Sequence, residues 1–182
     1  GVGKDAVLRG LKERGCRFHF VVTVTSLPKR PEEVDGADYF FVTPAEFEAM
    51  IARDELLEWA IVYDEYKGIP RRQVEEALAS GKDVFLRVDV QGAATVRGKM
   101  PEAVSIFLTA TSEEELNERL RRRKSDSEEG LQRRIAKARD EMKRVGEFDY
   151  LVVNRCDELG AAVNRIMAII EAEKCRVRRR LP

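Results

Sequence analysis

Three groups of residues have types and spacings that could do chemistry. The first is "GVGKDAV" at residues 1–7. Backbone N–H groups of a glycine turn feeding a helix N-terminus can cradle phosphate oxygens, and a lysine there adds charge on a transferring group. Gly1, Val2, Gly3 and Lys4 alone fit a chance glycine turn about equally well. Such a loop normally continues with a hydroxyl, but here Asp5 and Ala6 follow the lysine. A carboxylate is a good hard ligand for Mg2+, yet it also sets negative charge near the phosphates, so Asp5 reads both ways. The second group is a pair of acids, Glu58 in "LLEWA" and Asp89 in "VDVQGA". Both lie in apolar runs where an unpaired carboxylate would be costly. The plain reading of each is a strand-end ion pair; the functional reading is a carboxylate kept for donors on a ligand. The third group is basic: "RLRRRK" at 119–124, with Arg134 beyond it. Arginines here could neutralise phosphate charge, or could form a solvated helix face among the many nearby glutamates.

Composition removes several classes. The chain has 182 residues, enough for one domain with a small inserted lobe and a real core. Lys and Arg number 33 and Asp and Glu 33, so no global field points to nucleic acid or to a membrane surface. Cys16, Cys156 and Cys175 form no CxxC pair, which argues against a structural metal or a disulfide framework and suits a reducing compartment. The one histidine, His19, sits in "FHFVV" and reads as packing, which leaves little room for a His-based triad or zinc site. No run reaches transmembrane length and no signal peptide is visible.

The elements that must hold these groups alternate along the chain. "KDAVLRGLKERG" predicts a helix ended by Gly15, and "FHFVVTVT" a strand. Thr43 and Glu46 form a capping box, with Pro44 at the first helical position. "LLEWAIVY", "DVFLRVDV" and "VSIFLTA" read as strands, and "PRRQVEEALASG" as a helix between Pro70 and Gly81. Ser112 and Glu115 make a second capping box; a long helix covers "EEGLQRRIAKARDEMKRV", then come the strand "DYLVVN" and a helix to about Cys175. Strands alternating with helices predict an α/β fold with a parallel sheet covered on both faces. The stretch 25–41, rich in Pro, Gly, Asp and Glu, interrupts the alternation and suggests an inserted lobe.

"TSLPKRPEEVDGADYFFV", followed by "LLEWA" and "VDVQGA", resembles guanylate kinase over essentially the whole chain. The variants "GVGKDAV", "EYKGIP" and "LRVDVQGAA" look most like the plant and algal organellar forms, and less specifically like bacterial ones. The resemblance implies a P-loop NTPase-type parallel sheet flanked by helices, with a GMP-binding lobe at 25–81. The core would be 1–24 and 82–182, with a helical lid at about 119–134. It implies transfer of the γ-phosphoryl group of ATP to GMP with Mg2+. Guanine offers two adjacent donors beside the acceptor O6, so two carboxylates and a hydroxyl can select it over adenine. By resemblance Glu58 and Asp89 read the base, Thr23 supplies the hydroxyl, and Arg30 and Tyr39 hold the GMP phosphate. Gly1, Val2, Gly3, Lys4 and Asp5 would bind ATP with Arg123 and Asn154. Lys4, Arg119, Arg123 and Arg134 would be catalytic, and Asp5 would hold the metal. Arg121 and Arg122 read as solvated face, and Asp38 as a loop-shaping residue.

The sequence also departs from the family pattern. Besides Asp5 and Ala6, Leu27 stands where most members have a phosphate-gripping arginine, and Glu32 replaces a glycine. Lys67 and Ile69 replace a tyrosine and a hydroxyl residue; Lys67 could return phosphate charge, while Ile69 removes a contact to O6. The strand and loop half expected before Gly1 are missing from this sequence, so the chain reads as a fragment or a processed form. The alternative to the kinase is a catalytically weak or inactive guanylate-kinase-like module that binds a partner in the nucleotide cleft. The expected partners are small molecules, with no nucleic acid or membrane, in a monomer or weak homodimer. The resemblance suggests plastid or mitochondrion, with cytoplasm the alternative.

Overall fold

The computed structural model describes residues 2–14, 18–62, 65–121 and 128–177. In chain order its elements are α1 (Lys4–Glu13), β1 (Phe18–Phe20), β2 (Thr23–Thr25), β3 (Tyr39–Phe41), α2 (Pro44–Ala52), β4 (Leu56–Val62), β5 (Glu65–Pro70) and α3 (Arg71–Ala79). Then follow β6 (Asp83–Phe85), α4 (Val90–Lys99), β7 (Ile106–Thr109), α5 (Glu113–Arg121), α6 (Glu128–Lys143), β8 (Tyr150–Val153) and α7 (Leu159–Lys174). They form two compact units, Arg17–Pro101, and Gly1–Cys16 together with Glu102–Pro182.

The Arg17–Pro101 unit holds a parallel β1–β6 pair and a four-stranded sheet in the order β3-β2-β5-β4. The strand expected over "FHFVVTVT" is two strands in two sheets. Gln73 of α3 is the physical reason: its Oε1 accepts the Val22 N–H at 2.6 Å and its Nε2 donates to the Val22 carbonyl at 3.4 Å. A side chain satisfies the backbone at the crossing, so the ladder can break there without orphaned polar groups. His19 Nε2 meets the same Gln73 Oε1 at 3.2 Å, and as that oxygen only accepts, the imidazole donates. The parallel pairing expected is present in β1–β6 and in β7–β8. β3 pairs β2 in parallel, but β5 runs antiparallel to both β2 and β4.

The strand expected over "DVFLRVDV" ends at Phe85, because Asp89 caps a helix, α4, that the sequence reading omits. That helix carries two glycines and no clean apolar stripe, so its pattern is weak. The sequence reading omits β5 as well, since Gly68 and Pro70 are depleted in strands. Gly68 is there for close approach: a Cβ on it would come within 2.9 Å of Phe47 and 3.1 Å of Leu56. Phe47, Val24 and Leu56 form the core of the lobe, with Phe47 stacked on Tyr66. The capping box at Thr43 and Glu46 forms as expected and starts α2 beneath this sheet.

In the other unit α1 packs on α7 through Gly10, where a Cβ would come within 2.8 Å of Val163. Arg14 donates to Asn164 at 2.7 Å across the same pair. β7 and β8 pair in parallel, and Ala110, Leu116, Leu120, Leu131 and Ile135 make a second core beneath α5 and α6. Among the described residues no helix is long and apolar enough to cross a membrane.

Candidate functional site

Residue alternation gives the four-stranded sheet two chemically distinct faces. Thr23 lies opposite Tyr39, Thr25 opposite Lys67, and Glu58 opposite Ile69, so these side chains share one face. Val24, Gly68 and Leu56 belong to the other, apolar face. Leu56 and Glu58 are two residues apart and would share a face in a regular strand. A β-bulge between them shifts the register and turns Glu58 away from the apolar cluster.

Glu58 is buried, 6% exposed, and its carboxylate lies where α4 meets β4. Gly92 makes the room: a Cβ there would stand 2.7 Å from Glu58 Oε2. Burial first, and the Asp89 charge second, push the Glu58 carboxyl up to about 7, while Lys99 pulls the other way. Lys99 itself donates to the Leu57 carbonyl at 2.6 Å. Asp89 is the N-cap of α4, and its Oδ1 accepts from the amides of Gln91 and Gly92 at 3.0 Å each. Two acids therefore lie close enough to repel, each fixed by a different part of the backbone. Glu58 lies within β4, and Asp89 stands at the start of α4. Thr23 is buried on the same face, and Ile69 is fully buried, which closes that position to a polar contact.

Tyr39 is half-buried and has two cations over its ring, Lys67 Nζ at 5.4 Å and Arg87 Cζ at 5.1 Å from the centroid. Arg87 carries no signal in the sequence, where it is one basic residue in the apolar run "DVFLRVDV". Arg30 lies exposed on the loop after β2, where its N–H donates to Glu33 Oε2 at 2.9 Å. Asp38 shapes that loop, accepting the Val34 amide at 2.8 Å.

In the other unit, Gly3 caps α1 with φ +84°, and a Cβ on it would lie 2.6 Å from Asn154 Nδ2. That amide nitrogen donates to the Val2 carbonyl at 2.9 Å, so the end of β8 holds the glycine turn. Asn154 Oδ1 is buried and has no hydrogen-bond partner among the described residues. Lys4 and Asp5 open α1, with Asp5 exposed in the first turn, where a carboxylate also favours the helix dipole. The turn is built as a backbone cradle at a helix N-terminus, the arrangement that favours phosphate.

Arg119 is 16% exposed and donates to Glu115 at 2.6 Å and to the Asn154 carbonyl at 2.8 Å. Glu115 also accepts the amides of Thr111 and Cys156, each at 2.9 Å, and these bonds, with Arg119, hold its carboxyl down to about 2. The capping box at Ser112 is thereby half-formed. Ser112 Oγ accepts the Glu115 amide, but the Glu115 carboxylate reaches Thr111 instead of the cap amide. Glu115 was legible only as a cap; its i,i+4 spacing to Arg119 was the signal for its second role. Arg134 is half-buried on α6. Gly1 and Arg123 lie outside the described residues, as does Arg122.

Comparison with known proteins agrees with this layout. The family model described as guanylate kinase matches residues 1–173. The chain is 54% identical over 181 residues to "Guanylate kinase 2, chloroplastic/mitochondrial" of Oryza sativa subsp. japonica, covering 99% of this chain and 64% of that protein. It is 46% identical over 173 residues to the guanylate kinase of Gloeobacter violaceus, covering 95% of this chain and 83% of the relative. The crystal structure of guanylate kinase from Anaplasma phagocytophilum superposes with a TM-score of 0.81 at 30% identity, covering 96% of this chain and 84% of that one. On this fold, these acids and these relatives, the chain belongs to the guanylate kinase family.

Proposed function

We propose that the chain carries the ATP:GMP phosphotransferase activity, moving the γ-phosphoryl group of ATP to GMP and giving GDP and ADP. The single observation that carries this reading is the turn of Glu58, by a β-bulge, to a buried place beside Asp89, where two acceptors await adjacent donors. Guanine supplies such donors and adenine does not. Thr23 is assigned to O6, and Tyr39 and Arg30 to the GMP phosphate, with 25–81 as the GMP-binding lobe.

ATP is assigned to the Val2–Gly3–Lys4 turn, with Asn154, whose buried Oδ1 has no partner among the described residues, near the base. Gly1 and Arg123 are assigned to ATP by the family pattern. Lys4, Arg119, Arg123 and Arg134 would neutralise the transferring group. Asp5 fits Mg2+: it is an exposed carboxylate in the first turn of α1, and no group of three or more metal-ligating side chains occurs among the described residues. An ion held by one carboxylate and substrate phosphates suits that donor set. When bound, Mg2+ offsets negative charge on the phosphates. The working place is plastid or mitochondrion, supported by similarity to the rice relative so described, and the chain acts as a monomer or weak homodimer.

The experiment is a coupled ADP-release assay with ATP, Mg2+ and each nucleoside monophosphate in turn. GMP-dependent turnover, absent with AMP, CMP and UMP, is expected. Turnover with AMP equal to that with GMP would end the guanine reading.

A further inference from the structure

The bulge that turns Glu58 has a support of its own. A bulge leaves one residue outside the ladder, and a buried carbonyl there needs a donor from elsewhere. The register passes from Leu56 opposite Pro70 to Glu58 opposite Ile69, which makes Leu57 the extra residue. Leu57 is buried, and its carbonyl accepts from Lys99 Nζ at 2.6 Å. Helix periodicity brings Lys99 there. Gly92, Val96 and Lys99 follow one another at helical spacing on α4, so they share the face that packs on β4. Gly92 leaves room for the Glu58 carboxylate, Val96 is buried behind it, and Lys99 reaches the backbone one residue before Glu58. On the α3 side Arg71 holds the start of the same strand, spanning the Asp54 carboxylate and the Leu56 carbonyl.

A neutral donor would satisfy one carbonyl; a lysine brings charge as well. Asp89 at the N-cap of α4 and Lys99 in its last turn act on Glu58 in opposite senses, Asp89 raising its carboxyl and Lys99 lowering it. The neighbouring elements carry other charges, Arg71 and Glu75 on α3 and Lys67 on β5, but Asp89 and Lys99 are those that shift the Glu58 carboxyl. A cation also suits a helix C-terminus, but that role does not require Nζ to turn back onto the Leu57 carbonyl. We infer that Lys99 is a positioning residue: by donating to the Leu57 carbonyl it pins the bulge and so aims the Glu58 carboxylate at the base of the monophosphate. Lys99 acts through Glu58 and is not itself a contact of the ligand. The inference rests on the guanine reading proposed above.

The test is calorimetric titration of the full chain with GMP across a range of pH, with AMP and ATP titrated alongside. Lys99→Met keeps the aliphatic stem that lines a cleft with Leu57 and Met100, and removes donor and charge. It should weaken GMP about tenfold near pH ~7, the scale of one charge-assisted hydrogen bond, and leave ATP within about twofold. The rise of GMP affinity with pH should also move to higher pH, because the cation that favours ionised Glu58 is gone. Lys99→Arg, which keeps donor and charge, should recover most of both effects. Should Lys99→Met lose its cooperative urea transition, Lys99→Gln, which keeps a short donor without the charge, carries the same pH readout. GMP affinity and pH profile unchanged from wild type, equal losses of GMP and ATP with an unmoved profile, or no recovery in Lys99→Arg overturn the inference and leave the guanine reading standing. A wild type that binds GMP no better than AMP overturns both.

Discussion

Glu58 faces Ile69 across β4 and β5, one residue out of step with the Leu56–Pro70 pair beside it. That slip turns what would be a position on the apolar face to the opposite face of the sheet. It leaves a carboxylate in a pocket too dry to favour its charge, against a glycine with no side chain to obstruct it. The local backbone irregularity and the chemistry are the same feature.

Gly92→Ala tests how tightly that pocket is shaped. Alanine should gain up to ~1 kcal/mol in a helix interior. Its Cβ would meet Glu58 Oε2 at 2.7 Å and the Val88 Cβ at 3.0 Å. Overpacking of this kind costs about 1–3 kcal/mol, so the clash should win. Urea unfolding is expected to show net destabilisation, and GMP titration a loss larger than any in ATP affinity; a variant more stable than wild type would mean the pocket has slack.

The Glu58 carboxyl should leave a pH signature. Its folded value is raised to about 7 from 4.5, so the native chain holds a proton that the unfolded chain has lost between those values. The native state binds more protons there, and this group's share of stability therefore falls as pH rises from about 4.5 through 7. On the proposed guanine reading the base's donors need the carboxylate, so GMP affinity should rise over the same window, by at most ~tenfold per pH unit. Glu58→Gln should flatten both slopes. Titrations and thermal melts from about pH 5 to about pH 9, about two units either side of the folded value of about 7, check this; wild-type and variant slopes that coincide would refute it.

Gly3→Ala should damage the glycine turn twice over. Its φ of +84° is costly for alanine by about 1–2 kcal/mol, and the new Cβ would press on Asn154 Nδ2 at 2.6 Å. ATP affinity measured by titration should fall while guanosine affinity holds. Equal loss of both would point to general unfolding.

Phe47→Ala probes the lobe core alone. Phe47 is fully buried and stacks on Tyr66 at 4.9 Å, so truncation should cost about 3–5 kcal/mol in urea unfolding. A cost under about 1 kcal/mol would show that the cluster of Val24, Phe47 and Leu56 collapses around the gap.

Much of this fold was legible because its elements announce themselves locally. Thr43, Pro44 and Glu46 spell a helix start that the structure builds as written. What was not legible depended on partners distant in sequence. Gln73 alone decides that "FHFVVTVT" breaks in two, and nothing in that run hints at it. Gly68 and Pro70 argue against a strand until Phe47 and Leu56 are seen pressing on the space a side chain would take. Among the candidate site residues, Glu58 and Asp89 stood out as acids in apolar runs, and the structure brings them within electrostatic reach. Arg87 did not stand out, because one basic residue in a run of apolar ones carries no signal until Tyr39 is beside it. Gly92 and Lys99 shape the Glu58 pocket without a pattern of their own.

The contact between Asn154 and Val2 joins positions 152 apart, and Arg14 meets Asn164 across 150. The Arg17–Pro101 unit lies wholly between those ends. Contacts of such separation form late, because the chain must first close a long loop. As the polypeptide leaves the ribosome, the inner unit is therefore expected to consolidate while α1 still waits for α7 and β8 to be synthesised. The glycine turn would acquire its shape among the last events of folding, so a nascent chain would complete the proposed monophosphate pocket before the proposed triphosphate turn.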